Sequence, residues 1–417
     1  ERTQQELALQ ILLGAALSAT QGYAAPEVAR TYARARELCE QVGDTAQLSP
    51  VLIGLGRFYL VRGEFQTARD IAAQLLTIAE ATRDTVPLLA AHNALGGVSF
   101  YAGDFEAALA HLERGIALYD SDAHSPNRSP AFRLGQDPGV SCMTHAAMTL
   151  WMLGYPARAA ARMQEAFALA RALDHPFSVS YACHFGAGLH QWRRDRPAVR
   201  DVEDEALALD TEHGFGLFLT AGAIQRGWLL AQDGREEEGL AQMRDGLARH
   251  RNIGAAVLVP AYLALVAEVH EKLGRLAEGL SVVSEAFVAG QQSGQHYWEA
   301  ELYRLRGALT QPSAVASTAV ADDAESCFLQ AIGVARSQKA KSLELRAATS
   351  LSRLWAGQGK GREAHALLSG VYNWFTEGFD TADLSDAKSL LEELESRAGG
   401  SRAGRARRSH PAAPGAG

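Results

Sequence analysis

A short phrase that recurs about every 40 residues constrains the fold of this chain more than any other feature. Each copy has an apolar stretch, a glycine, two or three polar or aromatic residues, and then an alanine-rich stretch. The copies include LVRGEFQTA (60–68), FYAGDFEAA (100–108), WMLGYPARA (151–159), LAQDGREEEG (230–239), EKLGRLAEG (271–279) and AGQGKGREA (356–364). The turns between the two stretches fall at Gly22, Gly63, Gly103, Gly154, Asp195, Gly234, Gly274, about Ala319, and Gly359. A period of this length is typical of a repeat array, so we expect about nine helical hairpins.

Small residues at two fixed distances from each turn indicate how these hairpins pack. Seven residues before the turn stand Ala15, Gly56, Gly96, Ala147, Gly188, Gly227, Ala267, Ser352 and, beside an insertion, Gly307. Five residues after it stand Ala68, Ala108, Ala159, Gly239, Gly279, Ala324 and Ala364. Small side chains let two antiparallel helices approach closely, and glycine at the turn can adopt a positive φ. Arg200 breaks the rule, which makes the fifth hairpin the least regular.

The pattern resembles the tetratricopeptide repeat, stretched from 34 to about 40 residues by longer helices. Because such hairpins bury their apolar stripes mainly against their neighbours, we predict an all-α, right-handed α-solenoid of about nine hairpins. An irregular all-α bundle is the alternative, and no segment shows the alternation that predicts a sheet. We expect one superhelical domain over 1–396, with insertions at 121–140 and 310–320 and a capping helix over 381–396.

The uneven distribution of charge limits the partners of the chain. The net charge is −8, but residues 397–417 contain five arginines and no acid. The other 396 residues therefore hold 35 basic and 48 acidic side chains, a net charge of −13. An acidic body of this kind excludes wholesale binding to nucleic acid or to an anionic membrane. We expect 397–417 to be a disordered basic tail, whose interleaved Gly, Ala and Pro residues disfavour nucleic-acid binding.

Cysteine usage and hydropathy indicate a cytoplasmic protein. The four cysteines form no CxxC pair and lie far apart, at Cys39, Cys142, Cys183 and Cys327. Scattered cysteines with apolar neighbours are typical of reduced, buried thiols. The longest apolar runs, such as 257–269, are too short to cross a bilayer. Residues 7–19 imitate the apolar core of a signal peptide but lack a basic flank, so we interpret them as a helix in a fragment whose upstream part is missing.

The sequence contains none of the common catalytic or phosphate-binding motifs. GxxxxGK[ST], GxGxxG, GxSxG and HExxH are all absent. Cys142 with His145, and Cys183 with His184 and His190, offer the residue types of a soft-metal or Cys–His nucleophile site. No carboxylate or second cysteine completes either set, so we interpret them as core thiols and helix-surface imidazoles.

Acidic runs have a structural interpretation too. Glu203, Asp204 and Glu205, and likewise residues 236–238, fall in the early turns of predicted helices. Negative charge there suits the helix dipole, and we expect both runs to be exposed to solvent. We therefore predict no catalytic, cofactor-binding or metal-binding residue in this chain, and no enzyme activity of its own.

Binding to a protein or peptide is the remaining class of function. In arrays of this type the first helices of the hairpins line the concave face. Trp and Arg are common interface anchors, although a single Trp also serves to fill gaps between alanine-rich helices. The candidate residues for the concave face are Arg57, Asn93, Trp151, Trp192, Trp228, Arg304 and Arg353.

Four segments together carry a family resemblance. They are LGAALSATQGYAAPEVARTYARARELCEQVGD (13–44), GQDPGVSC (135–142), KSLELRAATSLSRLW (341–355) and VYNWFTEGFDTADLSDAKSLLEEL (371–394). With these segments the chain resembles the C-terminal tetratricopeptide region of bacterial multidomain signalling proteins. Those proteins place a class III adenylate/guanylate cyclase domain and a signal-transduction P-loop ATPase ahead of the array.

The resemblance implies a non-catalytic, regulatory solenoid whose partner is a protein or peptide, or the cyclase and ATPase domains of the same polypeptide. It carries over no catalytic residue, because no cyclase or ATPase motif is present in residues 1–417. One alternative is part of a cyclase enzyme whose catalytic domain lies outside this fragment. Another is the arm of a maltose-activator-like transcription regulator, which the low-complexity tail after Leu394 disfavours.

Overall fold

Helices are the only regular elements in the part of the chain that the structure describes. The computed structural model describes residues 2–43, 47–119, 135–310 and 318–408, and it has nineteen helices and no strand within them. In chain order the first ten are α1 (Arg2–Gln21), α2 (Pro26–Val42), α3 (Leu48–Val61), α4 (Phe65–Thr82), α5 (Thr85–Ala102), α6 (Phe105–Leu118), α7 (Pro138–Met152), α8 (Pro156–Ala172), α9 (Pro176–Trp192) and α10 (Arg196–His213). The others are α11 (Gly216–Gln232), α12 (Glu236–Asn252), α13 (Val259–Lys272), α14 (Leu276–Ser293), α15 (Glu299–Thr310), α16 (Thr318–Ser337), α17 (Lys341–Gly357), α18 (Gly361–Tyr372) and α19 (Ala382–Arg408).

Successive helices pair into nine hairpins, from α1–α2 to α17–α18, and α19 packs against the last of them. The predicted all-α solenoid of tetratricopeptide-like hairpins is confirmed. At all seven predicted turn glycines φ is positive, between 69° and 90°. The fifth hairpin has no glycine at its turn, and Arg194 takes the left-handed conformation there with φ 59° while Asp195 caps α10. Ala319 lies in α16, and the connection before it, residues 311–317, is outside the described residues.

The small residues beside each turn sit where the two helices of a hairpin touch. In the α11–α12 hairpin, a Cβ atom added to Gly227 would lie 2.6 Å from Met243 Cγ and 2.8 Å from Gly239 O. A Cβ atom added to Gly239 would lie 2.8 Å from the backbone nitrogen of Ala231. The backbones are therefore too close for a side chain at either position, as the spacing of small residues predicted.

Successive turns of the superhelix touch each other. The backbone nitrogens of Ala256 and Val257 donate to Val61 O at 2.9 and 3.0 Å, and that of His296 donates to Tyr101 O at 2.9 Å. Each bond joins the turn of one hairpin to a loop that lies four to five hairpins further along the chain. The solenoid therefore completes a turn every four to five hairpins and encloses a central channel, which the first helices of the hairpins line.

Two boundaries differ from those predicted from the sequence. Helix α19 continues to Arg408, past the expected end of the capping helix at residue 396, so the backbone of 397–408 is helical; residues 409–417 lie outside the described part. The predicted insertion at 121–140 overlaps α7, which begins at Pro138, and most of the remainder falls outside the described residues. Within the described ranges, no helix is both long and apolar enough to span a bilayer.

Candidate functional site

The central channel has an apolar chamber toward the N-terminal half of the array. Helices α3, α4, α5, α7, α9, α11 and α13 contribute its wall, together with the loop before α15, and its volume is about 150 Å³. Its large side chains are Tyr23, Leu52, Ile53, Leu60, Tyr101, Met148, Tyr181, Phe185, Trp192, Phe218, Tyr262, Tyr297 and Trp298. A surface of this kind suits an apolar ligand or the apolar side chains of a peptide.

The composition of the first helices explains this wall. One side of each first helix packs on the second helices while the other faces the channel, so apolar residues surround the helix. Every residue of α7 except Met143 is buried, whereas α10 and α12 bury one narrow stripe and present charged side chains to solvent.

Polar atoms without a protein partner point to a ligand in this chamber. Tyr297 is fully buried and Trp298 is 3% exposed, and neither the Tyr297 hydroxyl nor the Trp298 Nε1 has a hydrogen-bond partner. The Oε1 atom of buried Gln225 also has none. Because an unpaired buried polar group costs about 1–3 kcal/mol, such groups favour a bound molecule, water or a ligand, that supplies the missing bonds.

A second, charged chamber adjoins the first. It has a volume of about 400 Å³, and helices α9, α11, α13, α15, α17 and α19 supply its wall. Its charged side chains are Arg194, Arg196, Glu268, Glu271, Glu301, Arg304, Arg346, Arg353, Asp383 and Asp386. The two chambers share Gln191, Trp192, Leu265 and Trp298, so they form one continuous channel.

The indole rings of Trp192 and Trp298 form the wall between the chambers, and that of Trp151 lies behind them. The ring centroids of Trp192 and Trp298 are 5.0 Å apart and the rings are stacked, and Trp151 lies 5.2 Å from Trp192. Arg346 packs over the indole of Trp151, with its Cζ atom 5.0 Å from the ring centroid, and it also donates a hydrogen bond to Trp192 O. Stacking and the cation–π contact fix these rings in place.

Ion pairs organise the charged chamber. Arg346 Nε lies 2.8 Å from Asp383 Oδ2, and Arg304 pairs with Glu301 at 2.8 Å. Burial disfavours the charged form of Glu301, but the nearby Arg304 and Arg346 outweigh that cost and lower its pKa. Glu268 behaves in the opposite way, because burial and then the repulsion of Glu301 raise its pKa to about 7.

The structure places six of the seven candidate residues on the channel wall. Arg57 and Asn93 line the apolar chamber, Trp228, Arg304 and Arg353 line the charged chamber, and Trp192 lines both. Among the described residues, Trp151 lines neither chamber. It is 2% exposed and lies behind Trp192, where its ring fills the core beneath the wall.

Sequence reasoning missed much of the charged chamber. Glu268 stands in the apolar helix α13, and a charged residue in such a helix is the signal that identifies a channel position. Glu301 and Arg346 stand in helices with several other charged residues, so no such signal marks them. Tyr297 and Trp298 precede α15 in a loop, where no helical spacing identifies them.

A buried histidine joins two carboxylates at the edge of the apolar chamber. His184 Nε2 lies 2.6 Å from Asp210 Oδ2, and Nδ1 lies 3.2 Å from Glu203 Oε1, at ion-pair distance but without hydrogen-bond alignment. Burial opposes the charged imidazole, yet the two carboxylates prevail and raise the pKa of His184 to about 9. Glu203 is 1% exposed, so its expected position on a solvated face is wrong.

The Cys–His sets do not form a reactive site. Cys142 and Cys183 are buried, and burial raises the pKa of both thiols, which makes the thiolate nucleophile scarce. His145, His184 and His190 are buried too, which corrects their expected place on the helix surface. Within the described ranges, no group of three or more His, Cys, Asp or Glu side chains is arranged to hold a metal ion.

Comparison with known proteins agrees with this architecture. Residues 47–121 match the tetratricopeptide repeat family. An uncharacterised protein of Rhizobium meliloti (strain 1021) is 25% identical over 344 residues, which are 82% of this chain. The chain spans 33% of the length of that relative.

Two solved structures have a similar fold over nearly their whole length. A Rap protein complexed with Competence and Sporulation Factor superposes with a TM-score of 0.58 at 10% identity, covering 94% of this chain and 99% of the other. NprR in complex with its cognate peptide NprX superposes with a TM-score of 0.55 at 12% identity, covering 95% and 100%. At such low identity the likeness concerns the fold alone. The chain therefore has a helical-repeat fold that is similar to the tetratricopeptide solenoids.

Proposed function

We propose that this chain is a non-catalytic regulatory solenoid that binds an extended peptide segment in its central channel. The observation that carries the proposal is the channel itself, an apolar wall with buried polar atoms that lack partners, among them Tyr297 Oη and Trp298 Nε1. A peptide supplies both of the chemistries that this wall needs, because its side chains fill apolar space and its backbone offers donors and acceptors. The structures of similar fold are complexes of a Rap protein with Competence and Sporulation Factor and of NprR with its cognate peptide, which supports peptide binding by this chain by analogy.

We also propose that the solenoid regulates nucleotide-dependent signalling domains, of the cyclase and ATPase type, in the same polypeptide. Two observations support this context. The closing segment 341–394 resembles that of the cyclase–ATPase proteins, and the Rhizobium relative is about three times as long as the part that this chain spans. The four buried cysteines form no disulfide in the described part of the chain, which fits a reducing, cytoplasmic compartment.

A channel-filling variant tests peptide binding. A random seven-residue peptide library displayed on phage is selected on the full chain, and the enriched peptides are titrated against Ala94→Trp, which adds an indole to the apolar chamber. The matched control is Ala73→Trp, on the exposed face of α4. We expect Ala94→Trp to weaken binding at least tenfold and Ala73→Trp to leave it within twofold. Equal binding by all three proteins, or no enriched peptide, would refute the proposal.

Catalysis by the isolated chain is a separate test. We expect ATP hydrolysis and cyclic-nucleotide formation to stay at the level of a buffer blank. A rate above that level that survives further purification would overturn the non-catalytic assignment.

A further inference from the structure

The charged chamber has carboxylates without a basic partner, although arginines line the same wall. Each of its five arginines lies within 4 Å of a carboxylate; they are Arg194, Arg196, Arg304, Arg346 and Arg353. Among the described residues, no Lys, Arg or His forms an ion pair with Glu268 or Glu271, one turn apart on α13. Glu301 pairs through Oε1 only, and its buried Oε2 has no hydrogen-bond partner. Arginines and carboxylates are equal in number on this wall, five of each, but the groups left without an ion-pair partner are carboxylates.

Unpartnered polar groups on the same wall point independently to a ligand. Trp228 is 4% exposed and Trp298 is 3% exposed, both line the chamber, and neither indole Nε1 has a partner. Gln191, which is 7% exposed, has an unpartnered Nε2 there as well. Indole rings attract cations through their π faces, and unpaired N–H donors require an acceptor such as a peptide carbonyl.

A peptide that carries a basic side chain supplies both of these groups at once. Its ammonium or guanidinium group pairs with the free carboxylates, and its backbone carbonyls accept from the N–H donors. A metal ion fits less well, because the described carboxylates nowhere gather in a group able to hold one. An anionic ligand fits less well too, since every arginine of the wall already has a carboxylate beside it.

The raised pKa of Glu268 agrees with a carboxyl group that has no cation paired with it. Burial raises the pKa of this carboxyl to about 7, and Glu301 and Glu271 add to the effect, while Arg304 and Arg346 only partly offset it. The pKa of Glu271 is raised as well, mainly by burial. A positive charge placed between them would reverse these shifts.

We propose, on the basis of the peptide binding inferred above, that the charged chamber is the specificity subsite for a lysine or arginine side chain of the bound peptide. The residues next to that basic side chain pass the wall of Trp192 and Trp298, which both chambers share, and enter the apolar chamber. The channel thus selects a peptide with a basic residue beside an apolar stretch.

The composition of the peptides enriched on the full chain tests this assignment. We expect Lys or Arg at one fixed position, next to apolar positions. The tightest peptide is then compared with its copy in which norleucine, which lacks the charge, replaces the basic residue. Because a charge-assisted bond to a desolvated carboxylate is worth about 1.5–3 kcal/mol, we expect the norleucine peptide to bind at least tenfold more weakly.

Measuring both peptides against protein variants tests whether the two glutamates cause the loss of affinity. In Glu268→Gln/Glu271→Gln, we expect the basic peptide to lose at least tenfold in affinity and the norleucine peptide to change less than threefold. The control Glu80→Gln/Glu212→Gln makes the same change of net charge at exposed positions on α4 and α10 and is expected to bind both peptides like the wild type. The peptide substitution needs no altered protein, so a folding defect in a variant does not obscure the result.

The possible failures are distinguishable. Enriched peptides that bind in the channel but carry no basic residue, or a norleucine peptide that binds as tightly, would overturn the basic subsite and leave peptide binding intact. Equal loss for both peptides in the double variant would also overturn the subsite. No enrichment at all would overturn both proposals.

Discussion

Replacing Gly239 by alanine tests whether close helix contact holds each hairpin together. The added Cβ would clash with the carbonyl oxygen of Gly227 and lie 2.8 Å from the nitrogen and 3.1 Å from the Cβ of Ala231. Two of these three atoms belong to the backbone, so α11 and α12 have to move apart. We therefore expect a cost near 3 kcal/mol, the upper end for overpacking.

The intrinsic preference of alanine for a helix offsets about 1 kcal/mol of that cost, which leaves a net loss of about 2 kcal/mol. Gly333→Ala is the matched control, because this exposed glycine in α16 has no atom within 4 Å of an added Cβ. There only the helix preference acts, and we expect about 1 kcal/mol of stabilisation.

Urea unfolding followed by circular dichroism measures both changes, and hydrogen exchange locates them. Since stability in a repeat array is partly local, we expect the faster exchange in Gly239→Ala to concentrate in α11 and α12. If Gly239→Ala were as stabilising as Gly333→Ala, the role assigned to the small residues would be wrong.

Three further predictions concern buried charge. Burial lowers the pKa of His145 and of His250 to about 4, so the folded state resists protonation of both residues and the free energy of unfolding falls as the pH drops below 6.5. Unfolding titrations should show about 2 kcal/mol lost per histidine by pH 5, and a free energy of unfolding that does not change with pH would contradict the burial. Burial lowers the pKa of His184, but two carboxylates outweigh that effect and raise the pKa to about 9. The stabilisation from the charged imidazole is therefore complete below pH 6.5 and is lost as the pH rises through 9. We expect the free energy of unfolding to be about 2 kcal/mol lower at pH 9 than at pH 7, and an unchanged value would refute the ion pairs. Arg346→Met removes the partner of buried Glu301 and half-buried Asp383 and should cost about 3 kcal/mol and increase hydrogen exchange in α17 and α19, whereas wild-type exchange there would show that the ion pairs do not join these helices.

The hairpins were predictable because their determinants are local. A turn such as Gly63 and the small residues a few positions away belong to one hairpin, so the spacing along the chain reports the contact directly. The closure of the superhelix was not predictable in this way. The bond from Ala256 to Val61 O joins residues 195 positions apart and uses backbone atoms, which leave no pattern of residue types.

The contrast between local and long-range determinants also explains which residues of the site were predictable from the sequence. Arg57 and Asn93 lie on the channel wall where the repeat register placed them. Trp151 follows the same register, but its ring lies beneath Trp192, Trp298 and Arg346, and only the superhelical turn brings Trp298 and Arg346 near. Glu203 was expected in solvent because its acidic neighbours are hydrophilic, whereas the structure turns its carboxylate toward His184 in the preceding helix.

Cross-linking of a selected peptide tests the central claim most directly, namely that the channel is the binding site. The tightest peptide from the phage library, with a benzophenone side chain at one apolar position, is irradiated with the full chain, and mass spectrometry locates the linked residues. We predict links to residues of the apolar chamber on α5, α9 and α13, which an excess of unlabelled peptide suppresses. Links confined to the exposed faces of second helices such as α4, α10 and α12 would contradict the account.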